Sequence, residues 1–391
     1  MVYVGIDVSK DKHDCCVIDS DGQLLFKGFS IANNLEGFDY LYEKILNAEK
    51  DLDKVKVGLE ATGHYSYNIL GYLLNKGLHT FVLNPRHTNL YRKSLTLRKT
   101  KTDKVDSHII AQLLMAEADI KPYSITSYHN EELKSLTRYR FSKVRERGNL
   151  KQAVARLVNI LFPELENLFS TLHIESVYAV LREFPGASYI ANAHILKLTN
   201  ILETASRGYY GRSKAEEIRD TARRSVGSNM PAKSLELKHT ILLIQQFNDE
   251  IDEIENAIKA ILSELNSPIL TIPGMGFRMA AMILAEIGDI NKFDSPDKIL
   301  AYSGVSPTTY QSGKLEGAYA HMEKRGSRYL RFALYQAATY VCHWDPVFAD
   351  YLRKKLSEGK HYYVAISHAI KKLIRVIYSL EKSHQTYIKA A

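Results

Sequence analysis

Short apolar runs with the two-residue alternation of strands dominate the first 120 positions. Three of them, Val2–Ile6, His13–Ile18 and Leu24–Ile31, predict strands that follow one another through short turns. Val55–Leu59 and Thr80–Leu83 predict two more strands, and helices are predicted at 35–48, 64–76 and 103–117. A three-strand meander followed by β-α-β units predicts an α/β domain over residues 1–125.

Beyond position 126 the pattern changes to the 3.6-residue period of helices. Leu150, Val154, Leu157 and Leu161 form one apolar stripe, which Pro163 ends. A heptad-like stripe then predicts a coiled coil at Ile244, Phe247, Ile251, Ile254, Ile258, Ile261 and Leu265. It can pair with the first stripe in the same chain or with another chain. We assign a helical, coiled-coil region to residues 126–265, in which 164–233 carry no functional signal.

Turn-forming residues mark a compact α-helical domain over residues 266–345, followed by a helical tail over 346–391. Within it, Pro273-Gly-Met-Gly276 precedes a helix predicted over Arg278–Ile287. That order is typical of a helix-hairpin-helix, in which a glycine turn lets backbone N–H groups approach phosphate. A plain packing turn explains the same residues equally well.

Four acidic residues of the first domain are candidate metal ligands. Asp7 and Glu60 end two strand patterns, and Asp103 and Asp106 share one face at the start of a helix. Alone, each is explained as a turn, strand-end or first-turn residue. Together they repel unless a cation lies between them, and hard oxygen ligands suit Mg²⁺ or Mn²⁺. Their joint placement therefore predicts a metal site for phosphoryl transfer.

Composition sets wide limits on this prediction. The chain has 391 residues, 45% hydrophobic and 25% charged, which is ordinary for a globular protein of two or three domains. Neither an 18-residue apolar run nor a signal peptide is present, so we expect no membrane contact and a cytoplasmic protein. Cys15, Cys16 and Cys342 form no C-x-x-C pair, which argues against zinc and disulfides.

The distribution of basic residues points to nucleic acid. Net charge is +8, and the stretches 84–102 and 134–156 contain many cations and almost no acid. Such stretches favour a polyanion, whereas a merely solvated helix face usually carries mixed charge. The residues expected to bind nucleic acid are Arg86, Arg92, Lys93, Arg98, Lys99, Lys101, Arg138, Arg140, Lys143, Arg145, Arg147, Lys314, Lys324, Arg325, Arg328 and Arg331.

A serine- and glycine-rich loop at 303–314 is followed closely by cations. A serine hydroxyl attacks phosphate only with the help of a base, a metal or cationic neighbours. Lys314, Lys324, Arg325 and Arg328 could supply the cationic setting for Ser312. On the pattern alone, however, Ser312 is a turn residue.

With these motifs in order, the chain resembles the DEDD transposases of the insertion-sequence-110 family across nearly its whole length. The N-terminal motifs are Gly5-Ile-Asp-Val-Ser-Lys10, Glu60-Ala-Thr-Gly63, Asn84-Pro85 and Lys101-Thr-Asp-Lys-Val-Asp106. The C-terminal motifs are Pro273-Gly-Met-Gly276, Ala285-Glu-Ile-Gly-Asp289, Phe293, Gly304-Val-Ser-Pro307, Ser312-Gly313, Lys324-Arg-Gly326 and Leu330-Arg331. Ser107, the long segment 164–233 and Glu323 beside Lys324 depart from the family pattern.

The resemblance implies an RNase H-like (RuvC-like) catalytic domain, a coiled-coil connection and a C-terminal transposase domain. Asp7, Glu60, Asp103 and Asp106 would be the metal-binding acids. Ser312 would be the nucleophile that forms a covalent link to DNA, with Ser303 and Ser306 as rivals. The two domains would meet across protomers of a homo-oligomer, a dimer or a tetramer. A non-coding guide RNA that pairs with donor and target DNA is a further expected partner.

Three other functions stay open at this point. A structure-selective endonuclease of the Holliday-junction type would use water in place of Ser312. A non-catalytic nucleic-acid-binding assembly factor would keep the acids for stability alone. The Gly5-Ile-Asp-Val-Ser motif also opens actin-like ATPases, but the glycine-rich phosphate loops that those proteins need do not follow here.

Overall fold

The computed structural model describes the backbone of residues 1–60, 65–95, 103–117, 120, 122–123, 125–306, 311–312, 315–316 and 322–388. Within these ranges it describes all side chains except those of 86, 103–104, 125–129, 311–312 and 315–316. The chain divides into two compact units, residues 1–127 and 128–391.

A five-stranded sheet forms the centre of the first unit. Its strands are β1 (Val2–Val8), β2 (Lys12–Ile18), β3 (Leu24–Ala32), β4 (Val55–Glu60) and β5 (His79–Leu83), in the order β3-β2-β1-β4-β5. The first three are antiparallel neighbours, whereas β4 and β5 run parallel to β1. The predicted meander and β-α-β units are therefore confirmed, with the strand of Asp7 in the middle of the sheet.

Helices cover both faces of this sheet. Their bounds are α1 (Leu35–Ala48), α2 (Ser66–Asn75), α3 (Pro85–Leu95) and α4 (Asp103–Ala116). The side chain of Asn34 caps α1 by accepting from the N–H of Gly37 at 2.9 Å, as expected for a helix start. The side chains of Val4 and Ile6 in β1 pack with α1 and α2 on one face of the sheet. The other face is covered by α4. The sequence did not predict α3, which begins at Pro85 directly after β5.

In its described ranges, the second unit is built of helices and one short strand pair, β6 (Gln311–Ser312) and β7 (Leu315–Glu316). Its helices are α5 (Ile125–Leu161), α6 (Glu175–Glu183), α7 (Ala187–Ala191), α8 (Ile195–Ser206), α9 (Arg212–Arg223), α10 (Pro231–Leu265), α11 (Phe277–Ile287), α12 (Pro296–Ser303), α13 (Arg328–Trp344), α14 (Pro346–Ser357) and α15 (Tyr362–Ser383). The featureless segment 164–233 forms small helices that pack with Val154, Leu157 and Leu161 of α5.

Side chains of the two long helices, α5 and α10, meet in antiparallel order. Leu157 of α5 belongs to one core with Leu237 and Ile241 of α10, whereas Leu133 belongs to another with Ile258. The two predicted stripes share a core only at Ile244, which lies with Val154 and Leu157, whereas Ile258 lies with Leu133, outside the first stripe. A coiled coil within the chain therefore stays a prediction, as do a coiled coil with another chain and the domain boundaries drawn from the sequence.

The core of the C-terminal helices combines α11, α12, α13, α14 and α15. Phe348 of α14 and Ile370 and Leu373 of α15 are buried in the same cluster as Leu334 of α13. The segment expected as a tail therefore packs into this core. In the described ranges, each helix is too short or too polar to span a lipid bilayer.

Candidate active site

Acidic side chains of three neighbouring strands lie in one row across the sheet. Asp7 of β1 is directly opposite Asp14 of β2, and Asp14 is opposite Ser30 of β3. On the other side, Ile6 pairs with Leu59 of β4, so that Glu60 is the parallel counterpart of Asp7. Because paired residues of adjacent strands share a face, Asp14, Asp7 and Glu60 all point to the same side.

Two paired glycines show which helix covers that side. Gly5 of β1 pairs with Gly58 of β4, and each precedes an acid of the row by two positions. A Cβ at Gly5 would lie 2.0 Å from the backbone oxygen of Ser107 in α4, and one at Gly58 would lie 2.5 Å from the Leu114 side chain. Only glycine permits α4 to approach the strands this closely. The helix that begins with Asp103 and Asp106 therefore crosses the acidic face.

Glu60 and Asp106 line one cleft of about 290 Å³. The hydroxyl of Thr88 in α3 donates to Glu60 Oε1 at 2.5 Å. Arg92, one turn further along α3, lies 3.6 Å from Asp106 Oδ1. The full lining comprises Glu60, Pro85, Thr88, Asn89, Arg92, Asp106, Ile109 and Ile110. The unpredicted helix α3 thus supplies one wall of the cleft and holds both carboxylates.

Asp14 is a carboxylate of this row that the sequence analysis missed. It is only 3% exposed, accepts from Ser30 at 2.5 Å and pairs with Lys12 at 3.2 Å. Its sequence signal was the alternation of Lys12 and Asp14 along β2, which places both on one face.

The thiol of Cys16, on the same face of β2, lies 3.3 Å from Nδ1 of His108. Burial raises the pKa of Cys16 to about 11, so this thiol stays protonated at neutral pH.

The donor chemistry of the cleft suits a hard divalent cation, because carboxylate oxygens are the ligands that such ions prefer. Among the described residues, no three His, Cys, Asp or Glu side chains are grouped closely enough to hold a metal ion. The Asp103 side chain lies outside the described residues. Asp106 is paired with Arg92 and Glu60 with Thr88, so an ion would have to replace these contacts.

Most cations of the predicted basic stretch 134–156 that were expected to bind nucleic acid face α10 and α11. Arg138 donates twice to Glu286, at 2.6 and 3.0 Å, and Arg140 donates to Glu255 at 2.7 Å. Lys143 pairs with Glu250 at 2.6 Å, and Arg147 donates to Asn248 at 2.6 Å. Of the five α5 cations expected to bind nucleic acid, Arg145 alone is exposed. The other four hold the helices of the second unit together, and their binding of nucleic acid stays a prediction.

The remaining cations divide between exposed and internal positions. Lys93, Lys324, Arg325 and Arg328 are exposed. Arg331 instead donates to the carbonyls of Ser303 and Lys324, at 3.1 and 3.3 Å, and so fixes the loop that carries its neighbours. The predicted Arg98, Lys99, Lys101 and Lys314 lie outside the described residues, as does the side chain of Arg86.

Among the three candidate serines, Ser303 is fully buried and donates to the Leu300 carbonyl at 2.7 Å. A hydroxyl in that position is closed to DNA. Ser306 is half-buried. The backbone of Ser312 pairs with Leu315, but its side chain lies outside the described residues. The choice of Ser312 therefore stays a prediction, with one rival fewer.

Comparison with known families decides the class of protein. A DEDD transposase model of the IS110 family matches residues 4–163, and a model described as Transposase IS116/IS110/IS902 family matches residues 266–353. The chain belongs to the IS110 family of transposases. Both matched segments contain the motifs on which the sequence resemblance rested, and members of the family are enzymes that act on DNA.

Individual relatives of this IS110-family chain align along most of their length. The 44.8 kDa protein of insertion element IS116 from Streptomyces clavuligerus is 22% identical, over 100% of this chain and 96% of the relative. The pilin gene-inverting protein of Moraxella lacunata is 23% identical, over 99% and 98%. The putative transposase for the IS117 mini-circle of Streptomyces coelicolor is 24% identical, over 80% and 78%.

One solved structure, T. thermophilus RuvC in complex with Holliday junction substrate, aligns with 31% of this chain and 99% of its own at 15% identity. Its TM-score is 0.23, and at that value the likeness supports no conclusion about this chain.

Proposed function

We propose that this chain is a DNA recombinase of an insertion sequence that cuts and rejoins strands through a metal-binding acidic cleft and a serine nucleophile. One observation carries the proposal: Glu60 and Asp106, which are 46 positions apart in sequence, line a single cleft, with Asp7 in the same row of the sheet. The three neighbouring carboxylates of the row, Asp14, Asp7 and Glu60, repel one another and so lower the stability of the fold. Their placement is therefore explained better by function than by stability.

Asp7, Glu60, Asp103 and Asp106 would hold Mg²⁺ or Mn²⁺, which when bound would neutralise negative charge that develops on the scissile phosphate. Thr88 and Arg92 hold Glu60 and Asp106 in place, and the Arg92 guanidinium would also pair with a phosphate oxygen of bound DNA. Water exclusion by Ile109 and Ile110 in the lining would strengthen these charge interactions.

In the strand-transfer step, the hydroxyl oxygen of Ser312 attacks phosphorus and loses its proton to solvent. The bond from phosphorus to one deoxyribose oxygen breaks, and that oxygen leaves as a hydroxyl after it takes up a proton. The phosphoserine link conserves the phosphodiester bond energy. Attack by a hydroxyl of another strand then releases Ser312 and rejoins the DNA without ATP.

The direct test of the cleft is cleavage of DNA by isosteric variants. Glu60→Gln and Asp106→Asn should each reduce cleavage by at least 100-fold, on the order of a lost electrostatic element in other active sites, with the fold unchanged by circular dichroism. Asp53→Asn is the matched control and should cleave normally, because its side chain is 91% exposed and lies before the start of β4, at the opposite end of the strand from Glu60. Normal cleavage by both cleft variants would refute the proposal.

The nucleophile separates this proposal from a hydrolytic nuclease of the Holliday-junction type. Ser312→Ala should lose both strand exchange and the covalent protein–DNA adduct that survives denaturation. Ser303→Ala should keep both, because that hydroxyl is buried. Full strand exchange by Ser312→Ala would rule out the covalent mechanism and favour water as the attacking group.

A homo-oligomer and a non-coding guide RNA that pairs with donor and target DNA belong to the same proposal. Sequencing of the nucleic acid that co-purifies with the full chain tests the RNA: reads that map only to random cellular transcripts would remove it.

A further inference from the structure

The C-terminal helices expose an aromatic surface that the proposed chemistry does not use. Tyr340 and Trp344 of α13 are 55% and 61% exposed, and Tyr362 and Tyr363 at the start of α15 are 40% and 62% exposed. Large aromatic side chains contribute most when they are buried, so a cluster of them in water indicates a surface that binds something.

The two faces of α13 differ in a way that explains this exposure. Its inner face is lined by residues that are fully buried, among them Ala333, Ala337 and Val341. These small side chains let α13 lie deep in the C-terminal core. Tyr340 and Trp344, four positions apart, occupy one outward-facing row of the same helix. The rings of Tyr340 and Trp344 therefore do not contribute to the core of the C-terminal helices.

The exposed rings border a groove of about 550 Å³. Tyr340, His343 and Trp344 form one wall, with Leu352 and Tyr362 on the others. Next to it, the ring of Tyr363 stacks on Tyr335, with centroids 6.1 Å apart and an angle of 28° between the planes. Aromatic rings that are exposed to solvent suit planar ligands, because every nucleobase has a π-face that stacks on such rings.

Charge around the groove favours a polyanion. Residues 331–372 contain seven lysines and arginines and three acids. Each acid already has a partner: Asp345 accepts from Tyr387 at 3.0 Å, Asp350 pairs with Arg353, and Glu358 pairs with Lys355 at 2.9 Å. Lys354 is exposed two positions after Leu352, and Lys360 is half-buried two positions before Tyr362. Cations thus lie within two positions of Leu352 and Tyr362, two residues that line the groove, and positive charge of this kind favours a nucleic-acid backbone.

We propose that Tyr340, Trp344 and Tyr362 stack on unpaired bases of single-stranded DNA, with Lys354 and Lys360 beside its phosphates. This rests on the proposed function, since a strand exchange exposes unpaired DNA that must be held until it is rejoined. The surface would take the strand by its bases and with little sequence preference, because stacking does not read hydrogen-bonding edges.

Trp344 is the single tryptophan of the chain and therefore reports on its own site. Titration of the full chain with a 12-nucleotide oligo(dT) should quench its fluorescence, whereas an abasic 12-mer of equal charge should not. Tyr362→Ala should weaken oligo(dT) binding about 5- to 100-fold, the range expected for one lost stack. Tyr209→Ala is the matched control, because this tyrosine is 81% exposed elsewhere in the unit and should bind normally.

Three results would overturn the proposal. Equal quenching by the abasic strand would mean that phosphates alone bind. Tighter binding of oligo(U) than oligo(dT) through Tyr362 would make RNA the occupant. Emission of Trp344 that shifts with protein concentration, together with a smaller assembly for Tyr362→Ala and unchanged oligo(dT) affinity, would make a second copy of the chain the occupant.

The outcome is separable from that of the catalytic proposal. If Glu60→Gln abolishes cleavage while Tyr362→Ala binds oligo(dT) normally, the catalytic proposal is supported and the stacking proposal is refuted. If Tyr362→Ala loses oligo(dT) while Glu60→Gln still cleaves, the reverse holds.

Discussion

Replacement of Gly5 by alanine tests the packing on which the acidic cleft depends. The new Cβ would lie 2.0 Å from the Ser107 carbonyl oxygen and 2.6 Å from the Ala111 nitrogen. Both are backbone atoms of one helix, so no side chain can rotate away. Restoring an ordinary contact of 3.4 Å would require α4 to move by about 1.4 Å.

That movement has two measurable consequences. Overpacking of a buried site costs about 1–3 kcal/mol, and a backbone clash belongs at the upper end of that range. The shift also displaces Asp106, the residue before Ser107, from its place in the cleft. A misplacement of about 1 Å in catalytic geometry costs about 100-fold in rate. We therefore expect Gly5→Ala to lose about 2–3 kcal/mol of unfolding free energy and about 100-fold in DNA cleavage.

Two further glycines make the test a graded series. A Cβ at Gly58 would meet the flexible end of Leu114 at 2.5 Å, so Gly58→Ala should be milder in both respects. Gly71 lies in α2 with nothing within 4 Å of the added Cβ, and Gly71→Ala should stabilise by about 0.5–1 kcal/mol. Urea unfolding and hydrogen exchange of the β1 and α4 amides measure stability. If Gly5→Ala matched Gly71→Ala in stability and cleavage, the close approach of α4 to β1 would be wrong.

Three other predictions concern charged groups. Glu286→Gln should lower the unfolding free energy by about 2–3 kcal/mol, because it leaves the guanidinium of Arg138 without its buried carboxylate; a loss below about 0.5 kcal/mol would contradict this. Burial raises the pKa of Glu255, but hydrogen bonds from two arginines outweigh it and hold the pKa below its ordinary value. The destabilisation by Glu255→Gln should therefore be full at neutral pH and shrink as pH falls below about 4, and a pH-independent difference in urea midpoints would argue against the ion pair. Arg92→Leu should tighten Mn²⁺ binding about five-fold by calorimetry, because it removes a cation 3.6 Å from a carboxylate of the cleft. Lys93 is exposed on the same helix, so Lys93→Leu should change the Mn²⁺ affinity little. An equal effect of the two substitutions would show that only the net charge of the protein matters.

Local periodicity was sufficient for the five strands of the first unit and for α1, α2 and α4. Alternation in Val2–Ile6 and the capping Asn34 are properties of neighbouring residues, and the observed β1 and α1 follow them closely. The absence of a prediction for α3 has an equally local cause. Its first residue is a proline after Asn84, which reads as a turn, and its mixed polar surface gives no apolar stripe of its own.

The sequence determined by itself which residue types are available: the acids near the strand ends, the cations of α5 and the serine loop, each in a recognisable order. Tertiary structure alone decided their use. Arg138 and Glu286 are 148 positions apart, and no pattern along α5 distinguishes a cation that faces DNA from one that faces α11. Likewise, Gly5 allows α4 to pack closely on β1 only because the fold brings Ser107, about a hundred positions later in the sequence, against this glycine. Periodicity fixes the face on which a side chain lies within its own element, whereas packing between distant elements fixes what that face meets.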